Sequence, residues 1–460
     1  MKVLVTGATG FIGKQLLLHL RDRGHEIVVL TRQPEMACVR LPVLCRVFCW
    51  DKSFLEPPKE AFEGVDAVVH LAGENIIGRW TPARKEELSR SRLLSTRQIV
   101  KVLHGLEKKP KVFVCASGVG YYGDQPVAEL DETAPPGKDF LADLCRRWEA
   151  EAMQAEAVGI RTVPLRIGVV LGADGGALQK MLPAFRLGLG GALGHGRQWL
   201  SWIHEQDMAG LILHAIENSE VMGPVNAVSP NPVSNADFAK ALAQAVHRPA
   251  FLNVPAPVVK LLLGDVAGVV LTGQKAFPKK ALASGYTFHH PQLSSALATL
   301  CDRVTHELLI EQWVPQPLDK VFAFFSDTKN LELLTPPHLR FKITGQSTTS
   351  LQEGTRINYQ LKLHGVPFRW QSIIMDWKPG ERFSDIQVLG PYRLWHHTHD
   401  FIEQDGGTLI RDRAVYRIPL GVAGDLLLRS FIRKDLEAIF IYRWHKVQTE
   451  LGGVPPQPEG

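Results

Sequence analysis

Over the first 170 or so residues, short apolar runs alternate with segments whose apolar positions recur at helical spacing. The runs cover residues 2–6, 27–30, 46–50, 67–71, 111–116 and 162–167, and the helix-period stretches include 14–24, 81–104 and 140–157. A strand that is apolar at every position is covered on both faces, which is the habit of a parallel sheet wrapped in helices. The pattern therefore predicts an α/β fold, a doubly wound parallel sheet, over residues 1–170. From 171 to about 300 the pattern loosens into a glycine-rich stretch and short helices punctuated by prolines. This is read as a substrate lobe completing a first domain of residues 1–300, with Asp207 expected to N-cap one of its helices.

Near residue 305 the period changes. Alternating strand-like segments at 305–313, 355–363, 369–377, 394–401 and 408–418 dominate, with Gly406-Gly407 expected to turn the last pair into a hairpin. A long helix, about 423–451, follows. Leu427, Phe431, Ile432, Leu436, Ile439, Phe440 and Trp444 share one broad face of it. Residues 305–450 are thus expected to form a second, α+β domain, and the proline-rich tail 452–460 to be disordered.

Composition narrows the functional classes. The 460 residues carry a net charge of only +5, and the lysines and arginines do not gather into a basic stripe, so a nucleic-acid role lacks its electrostatic footprint. No apolar run reaches membrane-spanning length. Met1-Lys2 run directly into Val3-Leu4-Val5 with no secretory signal, and the six cysteines form no Cys-x-x-Cys pair. A cytoplasmic protein with reduced thiols and a small-molecule substrate is expected.

The chemistry starts at residue 6. Thr6-Gly7-Ala8-Thr9-Gly10-Phe11-Ile12-Gly13 links the first strand to the first helix. Gly7 permits a tight turn, Gly10 lets backbone approach a pyrophosphate, and Gly13 lets the helix pack close to the strand. The helix-start N–H groups of Thr9 to Gly13 then face the anion. At the end of the second strand an NAD-specific site places a carboxylate for the ribose hydroxyls; here stand Thr31 and Arg32. A guanidinium pairs with a 2′-phosphate where a carboxylate would repel it, so the predicted cofactor is NADP.

With Leu71-Ala72-Gly73-Glu74-Asn75 after the fourth strand and Tyr121-Tyr122-Gly123 after the fifth, the first 300 residues resemble the extended short-chain dehydrogenase/reductase superfamily. Within it they are similar to the "epimerase family" branch related to sugar-nucleotide epimerases. Ser201-Trp202-Ile203-His204 and the segment 278–285 carry the resemblance into the lobe. The resemblance implies that the backbone at Ala72 and Gly73 lines the cofactor and that Glu74 and Arg79 neighbour it. It also implies a Tyr-x-x-x-Lys pair, and none occurs between 110 and 170. Aligned on Glu149, the tyrosine slot falls on Leu141 and the lysine slot on Cys145. Tyr121, Tyr122, Ser117 and Glu74 are the remaining acid–base candidates, with Arg146 or Arg147 supplying positive charge from the helix that carries these slots, and Arg166, Arg186 and Arg197 are candidates for a substrate anion. Two functions follow: an NADP-binding oxidoreductase or epimerase with a relocated acid–base group, or a non-catalytic NADP-dependent binding or sensor protein.

Residues 305–450 resemble the START-like ligand-binding superfamily, which includes polyketide cyclases. Trp313-Val314-Pro315, the segment 321–327, Gly390-Pro391-Tyr392 and Trp395, together with the terminal helix, carry this resemblance. It implies a helix-grip fold around a hydrophobic ligand. His397 and His399 share a strand face, but two histidines make half a metal site and the sequence offers no third ligand, so no metal is expected.

Overall fold

The computed structural model describes residues 1–51, 55–173, 175–301 and 305–452; the tail expectation for 452–460 falls almost wholly outside them. The chain divides into two units. The first is built on a sheet of seven parallel strands: β1 (Lys2–Thr6), β2 (Glu26–Thr31), β3 (Arg46–Cys49), β4 (Ala67–His70), β5 (Val112–Gly118), β6 (Arg161–Ile167) and β7 (Val225–Ala227). They lie in the order β7-β6-β5-β4-β1-β2-β3. The central strands are buried at every position but Lys2 and Gly118 at two strand ends, as the unbroken apolar runs require. Helices that cover the sheet include α1 (Phe11–Asp22), α2 (Pro82–Gly105) and α3 (Phe140–Met153). Leu4, Val68 and Phe113 of the sheet share one core with Ile99, Leu103 and Trp148 of the helices.

The strand order reverses between β1 and β4, so the C-terminal ends of these two strands open a crevice where doubly wound folds bind ligands. The glycine loop leaves β1 at that point. The lobe packs Trp202, Phe238, Leu242 and Leu297 into a separate core. Its helix Glu205–Glu217 differs from expectation at the start. The Nδ1 atom of His204 accepts the Gln206 N–H and caps it, while Asp207 sits inside the first turn. The Asp207 carboxylate instead accepts the backbone N–H groups of His289 and His290, tying a distant loop to the helix.

The second unit holds a sheet of seven antiparallel strands. These are β8 (His306–Val314), β9 (Lys342–Gln346), β10 (Arg356–Leu363), β11 (Val366–Lys378), β12 (Arg382–Leu389), β13 (Leu394–Gln404) and β14 (Gly407–Arg417), in the order β8-β14-β13-β12-β11-β10-β9. Of these, β9 and β12 were not legible in the sequence pattern. The β13–β14 turn is centred on Asp405 and Gly406, one residue before the expected Gly-Gly; both have positive φ, the geometry of a two-residue hairpin turn. The short helix α4 (Leu318–Ser326) and the 31-residue α5 (Gly421–Leu451) complete the unit. From α5, Leu436, Phe440, Trp444 and Val447 pack into a core with Trp370, Trp395, Phe383 and Phe401. Leu427 and Phe431, expected on the same apolar face, are exposed. A further element of this unit comes from early in the chain: Pro34–Leu44, containing the short helix Ala37–Arg40, belongs to it, and Val39 is buried in its core. The expected domains were two consecutive stretches and did not include this excursion.

Candidate functional site

The crevice is shaped by what its glycines exclude. Gly7 has a φ of +72°, and a Cβ there would lie 2.8 Å from the Ala72 nitrogen. A Cβ on Gly13 would fall 2.4 Å from the Gly7 carbonyl oxygen, so only glycine lets α1 start this close to β1. No side chain caps α1 and its first turn holds no acid, which leaves its N-terminal dipole facing the crevice. Beneath the loop, Thr6 Oγ1 bonds His70 Nδ1 at 2.6 Å and accepts the Ala72 N–H, joining the ends of β1 and β4. His70 is fully buried, and burial pushes its pKa down to about 3, so the ring is neutral. Its other nitrogen meets Ser95 of α2 at 3.1 Å.

Around this floor stand the other predicted cofactor residues. Arg32, largely exposed at the end of β2, lies 3.3 Å from Glu74, whose carboxylate also faces Arg84 at 3.9 Å. The Glu74 backbone is fixed by Arg92, a residue the sequence reading missed; its guanidinium donates to the Glu74 carbonyl at 2.8 Å and lies under Gly73. Thr31 is half-buried beside Arg32. Arg79 is exposed, and the Arg147 guanidinium is exposed and 3.6 Å from Asp143, one turn back on α3.

The acid–base candidates are placed differently from expectation. Tyr122 is fully buried; its hydroxyl donates to Asn226 Oδ1 at 2.7 Å and accepts from Arg166 at 3.0 Å. Burial pushes its pKa up to about 12 in spite of Arg166. Ser117 is also buried and donates to Glu149 at 2.7 Å. Arg166, considered for a substrate anion, is 2% exposed and grips Glu149 in two bonds of 3.0 and 2.9 Å. Burial works against its charge, but the bonds to Glu149 outweigh that and raise its pKa. The five side chains Ser117, Tyr122, Glu149, Arg166 and Asn226 therefore form one closed network joining β5, β6, β7 and α3. Each hydroxyl in it is already committed.

Tyr121 is different: half-buried, with the Arg166 guanidinium 3.5 Å from its ring centroid. Leu141 packs against Gly120, and Cys145 lies near Gly118, so the two relay slots do face the end of β5. Burial pushes the Cys145 thiol up to about 12. None of the six cysteines is in a disulfide.

The model of the NAD dependent epimerase/dehydratase family matches residues 3–228, and a domain of unknown function, DUF1731, matches 254–300. The YfhF epimerase family protein of Bacillus subtilis is 38% identical over 313 residues, 66% of this chain and 100% of its own length. The chain belongs to the epimerase family. A chloroplastic SDR39U1 homologue of Arabidopsis thaliana is 41% identical over 309 residues, 65% of this chain and 86% of that protein. The human epimerase family protein SDR39U1, crystallised with NADPH, superposes with a TM-score of 0.59 at 38% identity, covering 66% of this chain and all of that one. These matches cover the epimerase part of the chain. Among the described residues no helix is long and apolar enough to cross a membrane.

In the second unit the structure corrects the reading of the histidine strand. His397 and His399 on β13 are not alone: Asp385, from the unanticipated β12, pairs in register with His397, and Asp412 on β14 pairs with His399. Asp385, His397 and His399 each offer a ligand atom within 4.8 Å of the others.

Proposed function

We propose that the first unit binds NADP(H) and acts on a small molecule as an oxidoreductase or epimerase without the usual tyrosine–lysine relay. The observation that carries this is the glycine cradle at the strand-order reversal, followed by a β2 end that presents Thr31 and Arg32 and no acid. The NADPH in the crystal of the human relative supports the same choice. Gly7, Thr9, Gly10, Phe11, Ile12 and Gly13 would hold the pyrophosphate, and Ala72 and Gly73 would line the nucleotide. Arg32 would exchange its exposed contact with Glu74 for the 2′-phosphate, with Arg79 and Arg147 as outlying cations. Bound nicotinamide supplies hydride donation or acceptance.

Ser117 and Tyr122 fasten the strand ends to α3, which leaves Tyr121 as the phenol nearest to a proton-transfer role. A second reading, a nucleotide-dependent sensor, is favoured by Leu141 and Cys145, which put apolar surface where a relay belongs. Titration with NADPH and NADH tests the binding: NADPH is expected to bind at least tenfold tighter, and Arg32→Ala to erase most of that difference. Equal affinities in the unaltered protein would refute it. NADPH oxidation with a metabolite extract, followed by product analysis, separates the enzyme from the sensor.

We infer that the second unit is a START-like helix-grip module for an apolar ligand. Its support is the antiparallel sheet packed on α5 through Trp370, Trp395, Phe440 and Trp444. A cytoplasmic setting belongs to the same proposal, resting on six cysteines outside any disulfide. Mass spectrometry of molecules that co-purify with the chain tests the ligand reading.

A further inference from the structure

We propose that Asp385, His397 and His399 form a binding site for a divalent transition-metal ion, zinc being the reference, in the second unit. The site stands on its own geometry and does not depend on the NADP or ligand readings.

The strand period puts His397 and His399 on one face of β13. Register then sets Asp385 on one side of that strand and Asp412 on the other. The two imidazoles and Asp412 are almost wholly buried, in a core that includes Phe383, Trp395, Phe401 and Phe440. Charged and polar groups in such surroundings are costly unless they answer one another or an ion.

Asp412 divides the nitrogens. Its Oδ1 lies 2.5 Å from His399 Nδ1 and 3.5 Å from His397 Nε2. That turns His397 Nδ1 and His399 Nε2 toward Asp385, whose Oδ2 is 3.3 Å from the first and 3.9 Å from the second. Ligand atoms bound tetrahedrally to zinc at about 2.05 Å stand about 3.3 Å apart, which the Asp385–His397 pair already matches, while the other two separations, 3.9 Å and within 4.8 Å, would contract around the ion. A carboxylate on the far nitrogen of a ligating histidine is the usual device for fixing its tautomer and aim. Asp412 supplies it to His399 and stands 3.5 Å from the corresponding nitrogen of His397. Arg443 of α5, 3.8 Å from the other oxygen of Asp412, balances the outer carboxylate and leaves Asp385 to the ion.

On the Asp412 side the hydrogen bonds of the cluster are incomplete. His397 Nε2 is buried without a hydrogen-bond partner, too far from Asp412 to be satisfied by it. The cluster is therefore not closed by its own hydrogen bonds, unlike the Arg166–Glu149 network in the first unit. Two histidines and one carboxylate leave a coordination position open, the donor set of metal centres that take a further oxygen ligand rather than of closed structural sites.

The test uses the full chain, without an affinity tag that binds metal, stripped with chelator and titrated with zinc by calorimetry. One equivalent is expected to bind with a dissociation constant of micromolar or tighter. Asp385→Asn and His397→Gln should each weaken it at least tenfold, while His195→Gln, on the exposed surface of the first unit, should not change it. Cobalt(II) gives a readout independent of any variant: the unaltered chain should develop the visible absorption of a four- or five-coordinate centre, and zinc should abolish it. Zinc affinity equal in the unaltered chain and in a folded Asp385→Asn variant, or cobalt that stays spectroscopically aquated, would overturn the assignment and leave a self-contained ion-pair cluster.

Discussion

Replacing Arg166 with methionine removes one half of a buried ion pair and leaves Glu149 charged with its environment unchanged. Both side chains are under a tenth exposed, so solvent screening gives little relief. The lost partner takes with it two bonds to Glu149, one to the Tyr122 hydroxyl and one to the Glu132 carbonyl. Breaking such a pair from one side costs about 3–5 kcal/mol, a large share of the 5–15 kcal/mol that holds a typical domain together. At roughly 2–4 °C per kcal/mol for a unit of this size, the melting transition of the first unit should fall by roughly 6–20 °C. Glu149→Met should cost a similar amount, since it strands the guanidinium. The double replacement, apolar at both positions, should recover at least half of the summed loss, because no charge is then left unpaired. Scanning calorimetry that resolves the transition of the first unit measures all three. Single losses below about 1 kcal/mol that simply add would refute the idea that this network is a buried fastener.

Gly13→Ala should weaken NADPH binding at least tenfold in a fluorescence titration, because its Cβ would press on the Gly7 carbonyl at 2.4 Å; affinity equal to the unaltered protein would show that the helix can retreat freely. Tyr122→Phe should cost about 1–3 kcal/mol by stranding Asn226 and Arg166, yet preserve any turnover, whereas Tyr121→Phe should abolish turnover with little loss of stability. The pH dependence has a definite sign at His70. Its folded pKa of about 3 lies below the 6.5 of the unfolded chain, so the unfolded state binds the proton first. Stability from this residue should therefore fall as pH drops from about 6.5 toward 3, by about 1.4 kcal/mol per unit, and be flat above that window. His70→Gln should remove that slope in urea titrations across pH; an unchanged slope would place the titration elsewhere.

The first unit was readable because its strands are apolar on both faces. Val3-Leu4-Val5 and Val112-Phe113-Val114 announce themselves by composition, and helix starts follow within a few residues of the expected ones. The network at the end of β5 was not readable. Glu149 and Arg166 stand 17 positions apart on a helix and a strand, and only their packing makes them a pair. In the second unit, strand β12 was missed for a physical reason: Arg382–Leu389 carries Ser384 and Asp385 where an apolar core would put valine or isoleucine. The polar pattern that hid the strand also hid the third partner of the two histidines. Asp207 misled in the opposite way. It has the residue type of a cap, but its carboxylate is drawn to the N–H groups of His289 and His290, which no local pattern reveals.

The excursion Pro34–Leu44 bears on how the protein is made. It leaves the ribosome about 260 residues before the first strand of its own unit, β8. At about 5–20 residues per second that is roughly 13–50 s during which Ala37 and Val39 have no core to enter. Nascent chains released in that window, or fragments cut before residue 305, would carry an apolar loop with nothing to cover it. A fragment starting at residue 305 would lack the piece that fills its core at Val39. The second unit thus cannot be expressed as one uninterrupted stretch of the gene without losing this piece.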